Sequence, residues 1–581
     1  MSSASQPASL TGSRWTMRAA NAQLVQQLAR ELSIARLTAR VLVCRGIADS
    51  KEADRFLSYD LGALHDPGAL PDMDQAILLL NQALARGSRI RVHGDYDVDG
   101  VCATALLVRA LRGLGGNVDW YIPHRLDEGY GVNYEAVRQA SDEGVSLLIT
   151  VDCGTSAVDQ VALARQLGME VVITDHHRTE EALPDAPVLN PWRSDSLYPF
   201  KELAGVGVAF KLLSALARAR ELPEGAELRF LDLVCLGTVG DVVPLLDENR
   251  LFVHHGLRQL PASRKVGITA LVEAAGVSGR IGSRQVAFAL APRINAVGRM
   301  EHAQAAVELL LTKDPQKARS LAAQLSEQND RRRQQEHQIF LQADQRVAEE
   351  VDLGRDRVIV LDSEGWHPGV IGIVASRLVE RYHRPVLLIA VSDGLGKGSG
   401  RSIDGFNLWA GLRQCSSLLT RFGGHHYAAG FAIPADRIPS LGARINELAA
   451  ACLTPDDLVR TITLDGEAES SELSLESVSE LNRLAPFGRG NPPPLFVIRG
   501  LQVGEVKTVG NDSHLAMRLL PRPLLASPTP SVGAIWFRAG HLASRVPVGA
   551  RVDVCCRPRP DEWNGNLRVR LYVEDMALQE S

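Results

Sequence analysis

Residues 89–174 alternate between short apolar runs and amphipathic stretches, and this rhythm restricts the possible folds more than any other feature of the 581-residue chain. The apolar runs are nearly continuous, as expected for strands that are buried on both faces. They lie at 89–93, 117–122, 145–151 and 169–174. Because the stretches between them have helical periodicity, the pattern predicts a parallel sheet covered by helices.

The rest of the chain predicts further domains. A second α/β pattern begins near residue 356 and includes the glycine-rich segment 394–402, which we predict to be a loop. A long, highly polar helical stretch precedes it, of the kind that connects domains. Short alternating runs after residue 454, with Asn564-Gly565 as a hairpin turn, predict a small barrel of the OB type. The predicted class is multidomain α/β: a parallel-sheet domain, a long connecting helix, a second α/β domain and a C-terminal OB-like β-barrel.

These changes in pattern set the predicted domain limits. The segments are a polar tail and helices at 1–70, the parallel-sheet domain at 71–302, the connecting helix at 303–354, the second α/β domain at 355–454 and the barrel at 455–581. Within the first segment, residues 1–16 are predicted to be a frayed tail.

Acidic and histidine residues follow the apolar runs of the first domain. They are His93, Asp95, Asp97, Asp152, Asp175, His176, His177 and Asp241. In an open α/β sheet, ligands gather at the carboxyl ends of the strands. So many carboxylates in one place would repel one another without cations, and a mixture of aspartate and histidine suits Mn²⁺, Mg²⁺ or Zn²⁺. Two such ions can activate a water and hold a phosphate, which predicts hydrolysis of phosphoesters or phosphoanhydrides.

Each cluster taken alone has a simpler interpretation. A single aspartate at a strand end is most often a helix N-cap, and Asp99-Gly100 can be a turn. Four clusters, each directly after an apolar run, are hard to explain by capping, so the set favours a metal centre.

The order and spacing of these residues resemble the DHH phosphoesterase superfamily. Residues 398–402 and 423–430 are similar to the companion domain of that superfamily, DHHA1. From about residue 35 onward the chain resembles one family within it, the bacterial single-strand-specific 5′→3′ exonucleases. Residues 94–100, 122–125 with 129–131, and 486–492 carry this closer likeness.

The resemblance implies roles for the clustered residues. The implied metal ligands are His93, Asp95, Asp97, Asp152, His176 and Asp241. Asp152 is expected to bridge two ions; His93 and Asp95 complete one site, and the other three complete the second. His177 is then free to bind the scissile phosphate or to protonate the leaving oxygen, and Asp175 is expected to orient a ligand histidine.

The resemblance also implies residues that contact nucleic acid. Arg293, Asn295 and Arg299 are expected at the scissile phosphate, Ser399 and Arg401 at a 5′-terminal phosphate with help from Arg125, and His425 in the same cleft. The glycines around Ser399 are expected to offer backbone N–H groups to that phosphate. Tyr130, between two glycines, either stacks on a base or packs at a loop edge.

The net charge of −5 conceals a basic C-terminal domain. Residues 483–570 contain 13 lysines and arginines against 5 aspartates and glutamates, a local charge of +8, so the remaining residues sum to −13. Basic residues interleaved with Trp536, Phe537 and Trp563 suit a barrel that binds single-stranded nucleic acid, although we expect Trp536 to lie in the core. The acidic remainder includes the proposed metal ligands, which bound cations would offset.

The full prediction is a single-stranded-DNA-specific 5′→3′ exonuclease that uses two Mn²⁺ or Mg²⁺ ions in recombination and repair. The resemblance implies 5′-phosphorylated DNA as substrate, a monomer, and a single-stranded-DNA-binding protein and a RecQ-like helicase as partners. The N-terminus lacks a secretory pattern, no apolar run reaches 18 residues, and the eight cysteines include no C-x-x-C pair. We therefore expect a cytoplasmic protein without a membrane partner or a thiolate zinc site.

Two alternatives remain. One is a phosphodiesterase of the same superfamily that acts on short oligonucleotides or cyclic dinucleotides; the other is a non-catalytic DNA-binding scaffold. The barrel argues against the first, because a small substrate needs no extended binding surface. The complete set of ligands argues against the second.

Overall fold

The computed structural model describes residues 9–124, 128–178, 182–300, 302–521, 531–563 and 565–579. The chain divides into two compact units, neither of which is continuous in sequence. One contains Tyr59–Gln334 and Pro486–Pro492, and the other contains Met1–Ser58, Gln335–Ala485 and Pro493–Ser581.

The described part of the N-terminal segment forms regular elements. It contains the strand β1 (Arg14–Met17) and the helices α1 (Ala22–Glu31), α2 (Arg36–Cys44) and α3 (Ser50–Leu57). β1 pairs in parallel with residues Thr461–Leu464, and the Trp15 indole donates a 2.8 Å hydrogen bond to Asp575. The prediction of a frayed tail at 1–16 is therefore wrong for residues 9–16, because a buried tryptophan and strand pairing fix them.

The first α/β region has the predicted parallel sheet. Its elements are α4 (Met73–Arg86), β2 (Arg89–His93), α5 (Val98–Gly113), β3 (Asn117–Tyr121), α6 (Tyr134–Asp142), β4 (Leu147–Val151), α7 (Val158–Gln166), β5 (Glu170–Thr174) and β6 (Val188–Leu189). The strand order is β3-β2-β4-β5-β6, and all neighbours are parallel. The chain moves from β2 to one side for β3 and to the other for β4, so the carboxyl ends of β2 and β4 flank a topological switch point.

Helices complete this unit. They are α8 (Gly205–Ala219), α9 (Leu231–Gly240), α10 (Asp247–Gln259), α11 (Val266–Ala274), α12 (Ser283–Gln285), α13 (Ala291–Met300), α14 (Gln304–Leu311) and the part of α15 (Pro315–Glu350) that ends at Gln334. The predicted long helix is α15, which starts where Asp314 accepts hydrogen bonds from the backbone of Gln316 and Lys317. Helices α5, α8 and α9 are buried along most of their length, and their first or last turns carry the residues of the site.

The second α/β region is a mixed sheet. It is built from β7 (Ile359–Ser363), α16 (Ile371–Tyr382), β8 (Val386–Ser392), β9 (Leu395–Arg401), α17 (Leu408–Gln414), β10 (Arg421–Gly424), β11 (Ala428–Pro434) and α18 (Ile438–Cys452). The order is β10-β11-β9-β8-β7, and β9 is antiparallel to both of its neighbours.

The glycine-rich segment is a strand, so the prediction of a phosphate-cradling loop is wrong. Its glycines alternate with side chains along β9 and face the core: a Cβ on Gly398 would overlap the ring of Phe431, and one on Gly400 would lie 2.5 Å from Leu387. Sheet pairing on both sides occupies the backbone N–H groups of a central strand. Only the side chains that point away from those glycines, among them Ser399 and Arg401, can serve a ligand.

Replacing Gly398 by alanine should destabilise this sheet by about 1–3 kcal/mol, the usual cost of overpacking a filled core. Thermal unfolding measures the loss. Gly423→Ala in β10 is the matched control, because no atom lies within 4 Å of a Cβ built there and the backbone needs no positive φ. Equal melting temperatures for the two variants would contradict the packing argument.

A closed five-stranded barrel follows the second sheet. The elements of this region are β12 (Thr461–Leu464), α19 (Leu475–Glu480), β13 (Phe496–Val509), β14 (His514–Leu520), β15 (Val532–Trp536), β16 (Arg551–Trp563) and β17 (Asn566–Leu578). The barrel order is β13-β14-β15-β17-β16, which agrees with the predicted OB-like barrel. Trp536 is buried as expected, whereas Phe537 is 53% exposed.

Among the described residues, no helix is both long enough and apolar enough to span a membrane.

Candidate metal centre

Five of the six predicted ligands converge, because each lies just after the end of a strand or a helix; His93 is the exception. Asp97 is the N-cap of α5 and accepts hydrogen bonds from the backbone of Asp99 and Gly100. Asp152 follows β4 directly and has a φ of +61°, a left-handed conformation that aspartate tolerates better than most residues. Asp241 follows the last turn of α9.

Three overlapping groups of ligand atoms result. They are Asp95, Asp97 and Asp152; Asp152, His176 and His177; and Asp99, His176 and Asp241, and the atoms of each group lie within 4.8 Å of one another. Asp152 belongs to two groups, which fits a carboxylate shared by two ions. His176 Nε2 lies 3.1 Å from Asp152 Oδ1 and 3.7 Å from Asp241 Oδ2.

The protonation of these groups fits a divalent cation. Burial lowers the pKa of His176 to about 4, so the imidazole is neutral, and the carbonyl of Leu203 accepts its hydrogen bond. The His176 Nε2, which faces Asp152, therefore carries a lone pair. It lies opposite Asp152 Oδ1, a buried oxygen that accepts no hydrogen bond. A lone pair and a carboxyl oxygen 3.1 Å apart are held together by a shared proton or by a cation, so the pair suits a metal ion. Burial and neighbouring carboxylates also raise the pKa of Asp152 and of Asp241, a repulsion that cations would relieve.

His177 belongs to a small network of its own. Its Nδ1 lies 2.8 Å from Asp175 Oδ1 and 3.0 Å from the hydroxyl of Tyr130. Burial lowers the pKa of His177, but the hydrogen bond and charge of Asp175 outweigh burial and raise the pKa above its ordinary value. The side-chain partner of Asp175 is thus His177 and not the ligand His176. The Tyr130 hydroxyl also donates to the carbonyl of Asp152, which ties this half-exposed ring to the metal centre.

His93 occupies a different position from the other predicted ligands. It is buried at the end of β2, its Nε2 lies 3.3 Å from the carbonyl of Gly131, and burial lowers its pKa to about 4. Its ring nitrogens are absent from the three groups of ligand atoms found among the described residues. The ring is neutral and can still act as a ligand, so its role as a ligand stays a prediction.

Family models and relatives agree with this architecture. The DHH family N-terminal domain matches residues 89–238, the DHHA1 domain matches 355–451 and the RecJ OB domain matches 464–575. A single-stranded-DNA-specific exonuclease RecJ of Bacillus subtilis (strain 168) is 37% identical over 573 residues, covering 98% of this chain and 71% of the relative. The chain belongs to the RecJ family.

Two solved RecJ structures from Thermus thermophilus contain metal ions. One, in complex with Mn²⁺, has a TM-score of 0.83 and 35% identity and covers 98% of this chain and 80% of that chain. The other, in complex with Mg²⁺, has a TM-score of 0.77 and 34% identity and covers 98% and 79%. The predicted family and fold class are confirmed, and RecJ relatives bind the two kinds of metal that the sequence predicted.

The residues expected at the scissile phosphate have structural partners in this chain. Asn295 Oδ1 accepts a 2.7 Å hydrogen bond from the backbone of Val98, which fixes the first turn of α5. Arg293 donates to Ser326 Oγ at 3.0 Å and to the carbonyl of Ala289. Arg299 is half-buried in the last turn of α13. Contact of these three with a phosphate stays a prediction.

In the second sheet of this chain, Ser399 and Arg401, two of the residues expected at the 5′ phosphate, lie together. Arg401 donates a 3.2 Å hydrogen bond to Ser399 Oγ, and a Cβ on Gly372, in the first turn of α16, would lie 2.8 Å from Ser399 Oγ and 3.1 Å from Arg401 Nη2. His425 is exposed in the turn after β10. Arg125 lies outside the described residues. Sequence reasoning missed Gly372. A glycine near the predicted start of a helix can indicate a close approach, but only the structure shows that the approach is to Ser399 and Arg401.

Two further features of the RecJ centre were also missed. Asp99 was weighed as part of a turn, but it is fully buried among the ligands. Residues 486–492 were noted for their resemblance alone. Burial and neighbouring carboxylates raise the pKa of Asp241, and the charge of Arg489 offsets part of that rise; the Arg489 carbonyl also accepts a 2.8 Å hydrogen bond from the backbone of Leu245.

Proposed function

We propose that this chain is a single-stranded-DNA-specific 5′→3′ exonuclease that releases 5′ mononucleotides with the help of two Mn²⁺ or Mg²⁺ ions. The observation that carries the proposal is the pair of ligand groups that share Asp152, in a chain of the RecJ family. The relatives named above are single-stranded-DNA-specific exonucleases, and the solved ones hold Mn²⁺ or Mg²⁺.

The proposed ligands are Asp95, Asp97, Asp152, His176 and Asp241, with His93 as a further candidate. Bound ions would supply Lewis acidity and a lowered pKa for water. The protein would supply the proton for the oxygen that leaves when the phosphodiester bond is cleaved. His177 has a raised pKa and is held by Asp175 and Tyr130, so it is suited to bind the scissile phosphate or to protonate the leaving oxygen. Arg293, Asn295 and Arg299 are proposed to hold the same phosphate.

The polarity of digestion is proposed to come from the second sheet. A compact polar surface there suits a terminal phosphate. It consists of the side chains of Ser399 and Arg401 beside the backbone of Gly372, and a guanidinium and a hydroxyl together bind a phosphate dianion well. Arg125 and His425 are proposed to assist.

The barrel is proposed to hold the incoming strand. Along the register of β14, β15 and β17, Arg518, Gly533 and Arg570 lie side by side. A groove of about 1040 Å³ runs past these residues and past Lys507. Phe537 lies 5.0 Å from His514 and 6.1 Å from Tyr572, measured between ring centroids. Phe537 is exposed and the other two rings are half-buried, so a partly exposed aromatic cluster includes rings on the same strands, β14 and β17, as the basic residues. Cations with aromatic platforms bind single strands without reading their sequence.

Digestion of one oligonucleotide, labelled at either end, tests the proposal. With Mn²⁺ or Mg²⁺, a 5′-phosphorylated single strand should release labelled mononucleotide from its 5′ end first, and chelator should stop the reaction. The same sequence as a blunt duplex is the control and should resist. Early release from the 3′ end would contradict the polarity. Activity on dinucleotides alone would favour a small-substrate phosphodiesterase, and binding without cleavage would favour a scaffold.

The biological setting is a proposal of the same origin. A cytoplasmic, monomeric enzyme of recombination and repair, with a single-stranded-DNA-binding protein and a RecQ-like helicase as partners, is consistent with a RecJ family member. Pull-down and size-exclusion chromatography test these assignments.

A further inference from the structure

Asp99 caps a helix other than its own. It lies in the first turn of α5, yet its Oδ2 accepts a 2.6 Å hydrogen bond from the backbone of Gly205, and its Oδ1 accepts one of 3.0 Å from Val206. These are N–H groups at the start of α8, whose own N-cap residue, Ala204, makes no side-chain hydrogen bond. Helix-start N–H groups need an acceptor, and a carboxylate is also favoured there by the helix dipole.

The capped turn of α8 lies directly against the shared ligand. A Cβ on Gly205 would lie 2.7 Å from both the Cβ and the Oδ1 of Asp152. On the other side of Asp99, a Cβ on Gly237 would lie 2.7 Å from Asp99 Oδ1. Asp99 therefore fits closely between α9 and α8, and α8 fits closely against Asp152. Any shift in the start of α8 must be transmitted to the Asp152 carboxylate, because no free space separates them.

We infer that Asp99 is a positioning residue: by clamping the start of α8, it fixes the carboxylate of Asp152 in the place where two ions can share it. Both oxygens of Asp99 are engaged by backbone N–H groups, and its Oδ2 lies 3.9 Å from His176 Nε2, whereas Asp152 Oδ1 lies 3.1 Å from the same atom. The inference rests on the proposed two-ion centre and adds a residue that holds that centre in shape.

Two variants probe the clamp from opposite sides. In Asp99→Asn, the amide has one acceptor oxygen where two N–H groups need one each, so the start of α8 loses a partner. In Gly205→Ala, the Asp99 carboxylate is intact, but the new methyl group displaces Asp152 directly. Asp314→Asn is the matched control, because it removes the same charge from a helix start, that of α15, in the same unit.

The main measurement is Mn²⁺ binding by the full-length protein. Titration calorimetry and the electron paramagnetic resonance of free Mn²⁺ both monitor this binding. We expect both Asp99→Asn and Gly205→Ala to retain two Mn²⁺ per chain with affinities about 10- to 100-fold weaker, the usual effect of losing a group that orients a ligand. Excess Mn²⁺ should restore much of the nuclease activity in both. Asp314→Asn should bind as the wild type does.

Other outcomes have definite meanings. Loss of one of the two ions in Asp99→Asn would make Asp99 a ligand and overturn the inference, as would wild-type affinity in both variants. If the Asp99→Asn protein unfolds at a lower temperature than the wild type in chelator, its weaker Mn²⁺ binding could reflect lost stability. The Mn²⁺ affinity of Gly205→Ala then decides, because that variant keeps the hydrogen bonds of Asp99. Failure of the proposed function is seen separately, because the wild type itself would then bind no pair of ions.

Discussion

Asparagine at position 152 should lower nuclease activity by at least about 10³-fold, because removing one member of a catalytic set commonly costs that much or more. An amide cannot serve as an anionic bridge between two cations. Asparagine is a better test than alanine, since Asp152 has a φ of +61° and asparagine tolerates that conformation. The loss is then chemical, with the backbone preserved.

The measurement is the initial rate on a 5′-phosphorylated single strand at saturating Mn²⁺. Asp159→Asn, which removes an exposed carboxylate in the first turn of α7, is the matched control and should retain full activity. In chelator, Asp152→Asn should melt no earlier than the wild type, because burial and neighbouring carboxylates disfavour the charge of Asp152. Full activity in Asp152→Asn would refute the shared-ligand assignment.

Alanine at position 401 should remove most of the preference for a 5′ phosphate. A hydrogen bond to a charged group contributes about 1.5–3 kcal/mol, so kcat/KM on a 5′-phosphorylated strand should fall about 10- to 150-fold. The rate on a strand with a 5′ hydroxyl should change little. Ser399→Ala should act in the same direction with a smaller effect, since it removes one neutral donor from the pair.

Competition between phosphorylated and unphosphorylated strands of one sequence measures this preference directly. Arg444→Ala, on the exposed face of α18, is the control for loss of positive charge in the same unit. An Arg401→Ala variant that slows both substrates equally would place Arg401 in general strand binding, and the terminal phosphate would need another site.

The first sheet was predictable because its signals are local. Strands β2, β4 and β5 are buried on both faces over most of their length, so the sequence within each run is enough to identify it, and β2 is predicted with its observed limits. The clustering of the proposed ligands was predictable for the same reason: Asp152 directly follows β4, and Asp97 and His176 lie within four residues of the ends of β2 and β5.

The predictions that were wrong share a different cause: the conformation of those residues depends on partners from other elements of the fold. Segment 395–401 is glycine-rich because Phe431 and Leu387 fill the space where side chains would lie; Leu387 lies on the preceding strand, but Phe431 comes from β11, beyond another helix and strand. Asp99 could not be separated from an ordinary turn residue until α8 was placed beside it. Residues 9–16 looked like a tail because their partners, Thr461–Leu464 and Asp575, lie more than 400 residues away.

The segment Pro486–Pro492 has a consequence for the order in which the protein matures. It packs within the metal-binding unit: the carbonyl of Arg489 accepts a hydrogen bond from Leu245, and Ser283 Oγ donates to the carbonyl of Phe487. The proposed ligands, from His93 to Asp241, leave the ribosome long before this segment. The nascent metal-binding unit therefore waits with one face incomplete until residue 492 has emerged, and a message truncated before codon 486 yields an unfinished catalytic unit even though every proposed ligand has been translated.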